Sequence, residues 1–136
     1  MRCPVCGSKT YVLSCGSCRT PKPEFMNELV RKVVASSRGN VETSMLVSEE
    51  GSVLAHNPVA SYDEYVAAAA AALGAAAKAL IQAIQGNIQI RRIDLRMADD
   101  SVVVVIPTGE AYLAVKTKPR PNLGMVNIVL SQLDLA

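Results

Sequence analysis

The sequence predicts an α+β protein: a five-stranded antiparallel sheet covered by helices, preceded by a small metal-folded head. Three observations carry this. Along the 136 residues, apolar positions switch between helical and strand periodicity in the order helix, two strands, helix, three strands, helix. The strands are joined by turns too short for parallel crossovers, so they pair antiparallel. All four cysteines fall within the first 18 residues.

The head comes first. Cys3-Pro4-Val5-Cys6 and Cys15-Gly16-Ser17-Cys18 are two C-x2-C pairs separated by eight residues. Four thiolates suit the tetrahedral preference of Zn2+, and two intervening residues let both sulfurs of a pair face one ion. Residues 1–19 are therefore predicted to form a zinc ribbon with Cys3, Cys6, Cys15 and Cys18 as ligands. With four protein ligands the site is structural, not catalytic. A stretch this short cannot bury a core, so the metal supplies its folding energy. A redox pair and an iron–sulfur site are the competing readings; neither C-x-x-C lies in a βαβ context. Residues 20–23, Thr-Pro-Lys-Pro, read as a stiff linker, and residues 24–136 form the body.

The body opens with a helix over 23–38, where Phe25/Met26, Leu29/Val30 and Val33/Val34 recur every four residues. Residues 41–48 and 52–56 flank Glu49-Glu50-Gly51 as a hairpin, and Asn57-Pro58 ends it. Ser61 with Glu64 reads as a capping box opening a long Ala-rich helix, which Gly86-Asn87 stops. Three strands follow, over 88–97, 102–106 and 110–117, with turns at Asp99-Asp100 and Thr108-Gly109. Asn122 is a good N-cap for a last helix, whose apolar face carries Leu123, Val126, Leu130 and Leu133.

Composition narrows the function classes. Seven basic residues and two acids give residues 1–40 a charge of +5, and the remainder carries −3, for a total of +2. That total is too small to predict a nucleic-acid binder. Aromatic residues make up 4%, with no Trp and one Phe, which disfavours a stacking platform for single strands. The chain lacks a P-loop, a G-x-G-x-x-G and an H-E-x-x-H pattern. His56, the one histidine, reads as a surface residue at a strand end. Asp94 is expected to balance Arg92 or Arg96 across a strand face. No apolar run follows Met1-Arg2, and the longest apolar stretch, 66–77, is shorter than a membrane span of about 20 residues. These features predict a soluble, cytoplasmic protein without membrane insertion.

In the long helix, Ala67, Ala70, Ala71 and Gly74 are small enough to let another backbone approach closely. They fit either a second chain or the protein's own sheet. In the third strand the apolar parity changes at Arg91-Arg92, from Ile88/Ile90 to Ile93/Leu95/Met97. That pattern fits a bulge or a strand covered on both faces.

The body resembles the roadblock (dynein light chain) family over residues 24–136. The likeness rests on the element order, the stretch Thr43-Ser44-Met45-Leu46-Val47-Ser48-Glu49-Glu50-Gly51-Ser52-Val53-Leu54-Ala55, the Ala-rich helix, Val103-Val104-Val105-Ile106-Pro107, and Asn122-Leu123-Gly124-Met125-Val126. It implies a profilin-like fold, with the first and last helices on one sheet face and the long helix on the other. It also implies a homodimer in which long helices pack together and third strands pair, with Ala67, Ala70, Ala71, Gly74, Ile90 and Arg92 at the interface. Its function would be that of a non-enzymatic scaffold or regulator of a Ras-like small GTPase. The zinc head departs from the minimal family domain and points to a prokaryotic, archaeal source. A second reading remains: a zinc-ribbon protein associated with nucleic acid, its body serving only to dimerise.

Overall fold

The computed structural model describes residues 22–86, 89–108 and 111–132. Eight elements follow in chain order: α1 (Lys22–Ser36), β1 (Val41–Ser48), β2 (Val53–Asn57), α2 (Asp63–Gln85), β3 (Ile93–Arg96), β4 (Val102–Pro107), β5 (Ala111–Thr117) and α3 (Leu123–Ser131). The strands form one antiparallel sheet in the order β2-β1-β5-β4-β3. In-register pairs such as Leu46 with Leu113 and Val104 with Val115 hold its centre.

The central strands are apolar on both faces because helices cover both. On one side α1 and α3 pack Leu29, Val30, Val33, Val126 and Val129 against Leu46, Val104, Leu113 and Val115. On the other, α2 packs Ala67, Ala70 and Ala71 against Met45, Val47, Val105, Tyr112 and Ala114. This is the two-faced, profilin-like arrangement that the family resemblance implied. Leu29, Leu46 and Leu113 are wholly buried, and each such side chain contributes about 1.5–3 kcal/mol.

Polar side chains inside this structure are satisfied. The Ser44 hydroxyl donates to the Val30 carbonyl at 2.5 Å, joining β1 to α1. Asn40 donates its amide to the Ser37 carbonyl, and its side-chain oxygen accepts from Asn122 N–H at 2.9 Å, tying the start of β1 to the start of α3. Asn122 caps α3 as expected, accepting from Met125 N–H.

Three boundaries differ from expectation. Helix α1 begins at Lys22, inside the expected linker. Helix α2 begins at Asp63 with Tyr62 at its N-cap, which makes no side-chain capping bond, so Ser61 is not the cap. The carboxylate of Asp63 instead accepts from Ala60 N–H at 2.8 Å. Finally, β3 spans only Ile93–Arg96. The strand begins after the parity change, so Ile90 lies outside it.

Candidate interaction surface

Helix α2 has two unlike faces. Its inner face is made of small residues because the sheet lies close beneath it. Ala67 is fully buried, and Ala70 and Ala71 are each 7% exposed. Gly74 is buried over Tyr112 of β5: a Cβ at this position would lie 2.5 Å from two ring carbons. Glycine is therefore required there by close approach within the chain. These four residues, assigned from sequence to a dimer interface, face their own sheet. A second helix would have to meet the opposite face.

That opposite face is apolar and open. Ala68, Ala69, Ala72, Ala75, Ala76, Ala79 and Ala83 are exposed along it, with Tyr65, Leu80 and Ile84 exposed by 60–81%. On length and composition Asp63–Ile84 could cross a membrane, and only 22% of that stretch is buried. The inner face of the helix is nevertheless committed to the sheet.

One flank of α2 is held by charge. Lys78 Nζ lies 5.1 Å from the Tyr112 ring centroid and 3.5 Å from the Glu49 carboxylate at the hairpin tip. Its contact with the Tyr112 hydroxyl, opposed by partial desolvation and aided by Glu49, raises the ammonium pKa above its ordinary value. A cation over an aromatic face adds about 0.5–1 kcal/mol at an exposed site. Glu49, at the tip of the expected hairpin, thus also clasps the helix.

Strand β3 is a sheet edge. Leu95 and the following Met97 are 41% and 47% exposed. Ile93 is half-buried and packs with the α2-side core. Arg92 donates from Nε and Nη2 to the Asp94 carboxylate at 2.7 and 2.9 Å, and from Nη1 to Asn127 of α3 at 3.0 Å. The expected Arg92–Asp94 balance is present, and the same guanidinium ties β3 to α3. Ile90 is partly exposed.

Sequence reasoning missed one pair. His56 Nδ1 lies 2.5 Å from Asp63 Oδ2, and the aspartate side chain is 6% exposed. The acid comes from the helix that follows the hairpin, not from the hairpin itself. Its one visible signal was an Asp at the helix start, beyond a Pro turn. With its carboxylate shared between His56 and Ala60 N–H, Asp63 anchors the β2–α2 connection.

Elsewhere, a groove of about 190 Å3 lies between the β3–β4 turn and the β5–α3 connection, lined among others by Arg96, Met97 and Leu123. Arg120 pairs with Asp100 at its rim, 3.3 Å apart. Among the described residues no group of three or more His, Cys, Asp or Glu could hold a metal. Cys3, Cys6, Cys15 and Cys18 lie outside the described residues.

Comparison with known proteins gives a consistent picture. A family model described as Roadblock/LC7 domain matches residues 26–117. A Roadblock/LC7 domain structure from Streptomyces avermitilis is 18% identical with a TM-score of 0.68, covering 79% of this chain and 89% of its own. Myxococcus xanthus MglB is 17% identical with a TM-score of 0.69, covering 78% of this chain and 85% of its own. Profilin IA of Acanthamoeba castellanii is 15% identical with a TM-score of 0.55, covering 79% of this chain and 91% of its own. These structures share the fold. No curated protein matches the chain.

Proposed function

The chain belongs to the Roadblock/LC7 family, and from that premise we propose that it is a non-enzymatic scaffold or regulator that self-associates and engages a Ras-like small GTPase. The observation that carries this reading is the open apolar face of α2. Tyr65, Leu80 and Ile84 are large and exposed there, around a ridge of alanines. A contiguous apolar surface of this kind marks an association site. Alanines allow close helix approach, and the flanking large side chains supply buried area. The free edge of β3, with exposed Leu95 beside it, offers backbone groups to a second copy.

The side-chain chemistry of this surface favours scaffolding over catalysis. Arg92 is tied to Asp94 and Asn127 and cannot act as an arginine finger without breaking those bonds. A scaffold of this kind acts by holding the switch segments of a GTPase in a competent arrangement, or by clustering two partners.

The deciding experiment is capture of purified small GTPases from the same genome, each loaded with GDP or a GTP analogue. Binding to at least one, with a preference between nucleotide states, is expected. No binding in either state across all of them would overturn the GTPase reading.

A further inference from the structure

We infer that the groove between the β3–β4 turn and the β5–α3 connection is a docking site for an acidic segment of a protein partner. One aliphatic side chain of that segment enters the groove, and its flanking carboxylates meet the guanidiniums of Arg96 and Arg120. The floor is apolar: Val102 is 5% exposed, and Leu123 packs against the core that α1 and α3 cover. Arg96, at the end of β3, and Arg120, in the connection, both line the groove, as does Met97. Its volume of about 190 Å3 equals roughly six waters at about 30 Å3 each. That is less than the roughly 300–1,000 Å3 of a pocket for a cofactor-sized ligand, and it suits a single side chain.

The charges select the sign of the partner. Arg96 makes no ion pair among the described residues. Arg120 meets Asp100 through one contact at 3.3 Å, with the two side chains 86% and 63% exposed. Solvent screens such a pair, so a better-placed carboxylate can replace it. Asp99, the other acid of the turn, is bonded to the N–H and hydroxyl of Ser101 and does not compete. Guanidinium groups match carboxylates through paired N–H donors. An aliphatic residue beside Asp or Glu therefore suits both the floor and the rim.

The walls are formed in advance. Asp100 and Arg120 have φ of 68° and 53°, left-handed values uncommon outside glycine. Arg120 N–H donates to the Asp100 carbonyl at 3.0 Å, and Asn122 N–H donates to Asn40 Oδ1 at 2.9 Å. These bonds fix the two loops against each other, which lowers the ordering cost of binding. Leu123 belongs to the α1 and α3 side of the sheet, whereas α2 covers the opposite side. The groove is thus separate from the open face of α2, and its assignment does not rest on the GTPase reading.

The test is amide NMR of the full chain titrated with the peptide acetyl-Gly-Asp-Leu-Asp-Gly-amide. Shifts are expected within residues 97–102 and 118–123, and the affinity should fall as salt rises. Arg96→Gln and Arg120→Gln should each weaken binding by about tenfold. Asp100→Asn removes the competing carboxylate and keeps a side chain that tolerates left-handed backbone, so it should tighten binding. That gain also tests the proposal if an arginine variant fails to fold. Peptides with Asn for both Asp, or Gly for Leu, should bind more weakly by about tenfold or more. No shift in millimolar peptide would overturn the proposal, as would equal binding of the Asn peptide. So would inorganic phosphate or a single-stranded oligonucleotide that shifts the same amides at lower concentration than the peptide, since the groove would then be a general anion or nucleic-acid contact.

Discussion

Gly74 and Tyr112 meet where α2 comes closest to the sheet. Tyr112 is 3% exposed, so its ring has little room to move aside. Gly74→Ala would gain about 0.5–1 kcal/mol of helix preference and lose about 1–3 kcal/mol to overpacking. A net loss of stability in urea titration is the expected outcome, with the association state unchanged. A more stable variant would mean that the ring has room to move. The His56–Asp63 contact invites a similar test. Asp63→Ala removes the acceptor for Ala60 N–H and for His56, and should cost about 1–3 kcal/mol, read by chemical denaturation. An unchanged midpoint would make the pair incidental.

Among the elements, α2 carries the clearest division of labour. Its inner face is fitted to the sheet, and its outer face exposes alanines with Tyr65, Leu80 and Ile84. Ala72→Glu places a charge in the middle of that outer face without touching the core. Sedimentation of this variant should show monomers where the parent self-associates, at nearly unchanged unfolding temperature. Persistence of the same oligomer would move the interface elsewhere. The β3–β4 turn yields a pH prediction. Asp99 accepts from the Ser101 hydroxyl and from its N–H at 2.5 and 2.9 Å, and these bonds hold its carboxyl pKa below the ordinary 3.8. A depressed carboxylate pKa contributes stability above the unfolded value and loses it as pH falls through the folded one. The unfolding-temperature gap between the parent and Asp99→Ala should therefore be full above about pH 4 and narrow in more acid solution. A gap independent of pH would show that the carboxylate charge is not what stabilises the turn.

At the scale of the molecule, the element order, the antiparallel sheet and the capping of α3 by Asn122 were legible in the sequence. Each depends on neighbours within a few residues: an apolar period, a turn, an Asx side chain before a helix. The family was legible for the same reason, since its hairpin and helix starts are local patterns. Less was legible wherever the outcome depended on which face turns inward. Ala67, Ala70, Ala71 and Gly74 fitted either a second chain or their own sheet by size alone, and the family resemblance placed them at a dimer interface; in the structure Ala67, Ala70 and Ala71 pack on Met45, Val47, Tyr112 and Ala114 of their own chain, and Gly74 lies over Tyr112. Smallness marks close approach but not the identity of what approaches. The third strand was read as longer than it is, because apolar parity persists in backbone that has left the ladder. The partner of His56 could not be found by looking along the hairpin, since Asp63 arrives from the next helix.

The sequence by itself determined the alternation of helices and strands and their antiparallel pairing. It also set the presence of an unusually apolar long helix. These are matters of period, spacing and composition. Only the tertiary structure decided which stripe of α2 the sheet consumes and which it leaves open, that Lys78 closes over Tyr112, and that Arg92 is held by Asp94 and Asn127. A helix wheel shows every stripe at once. The sheet has room for just one of them, and closest approach over a buried tyrosine ring selects the stripe that contains Gly74.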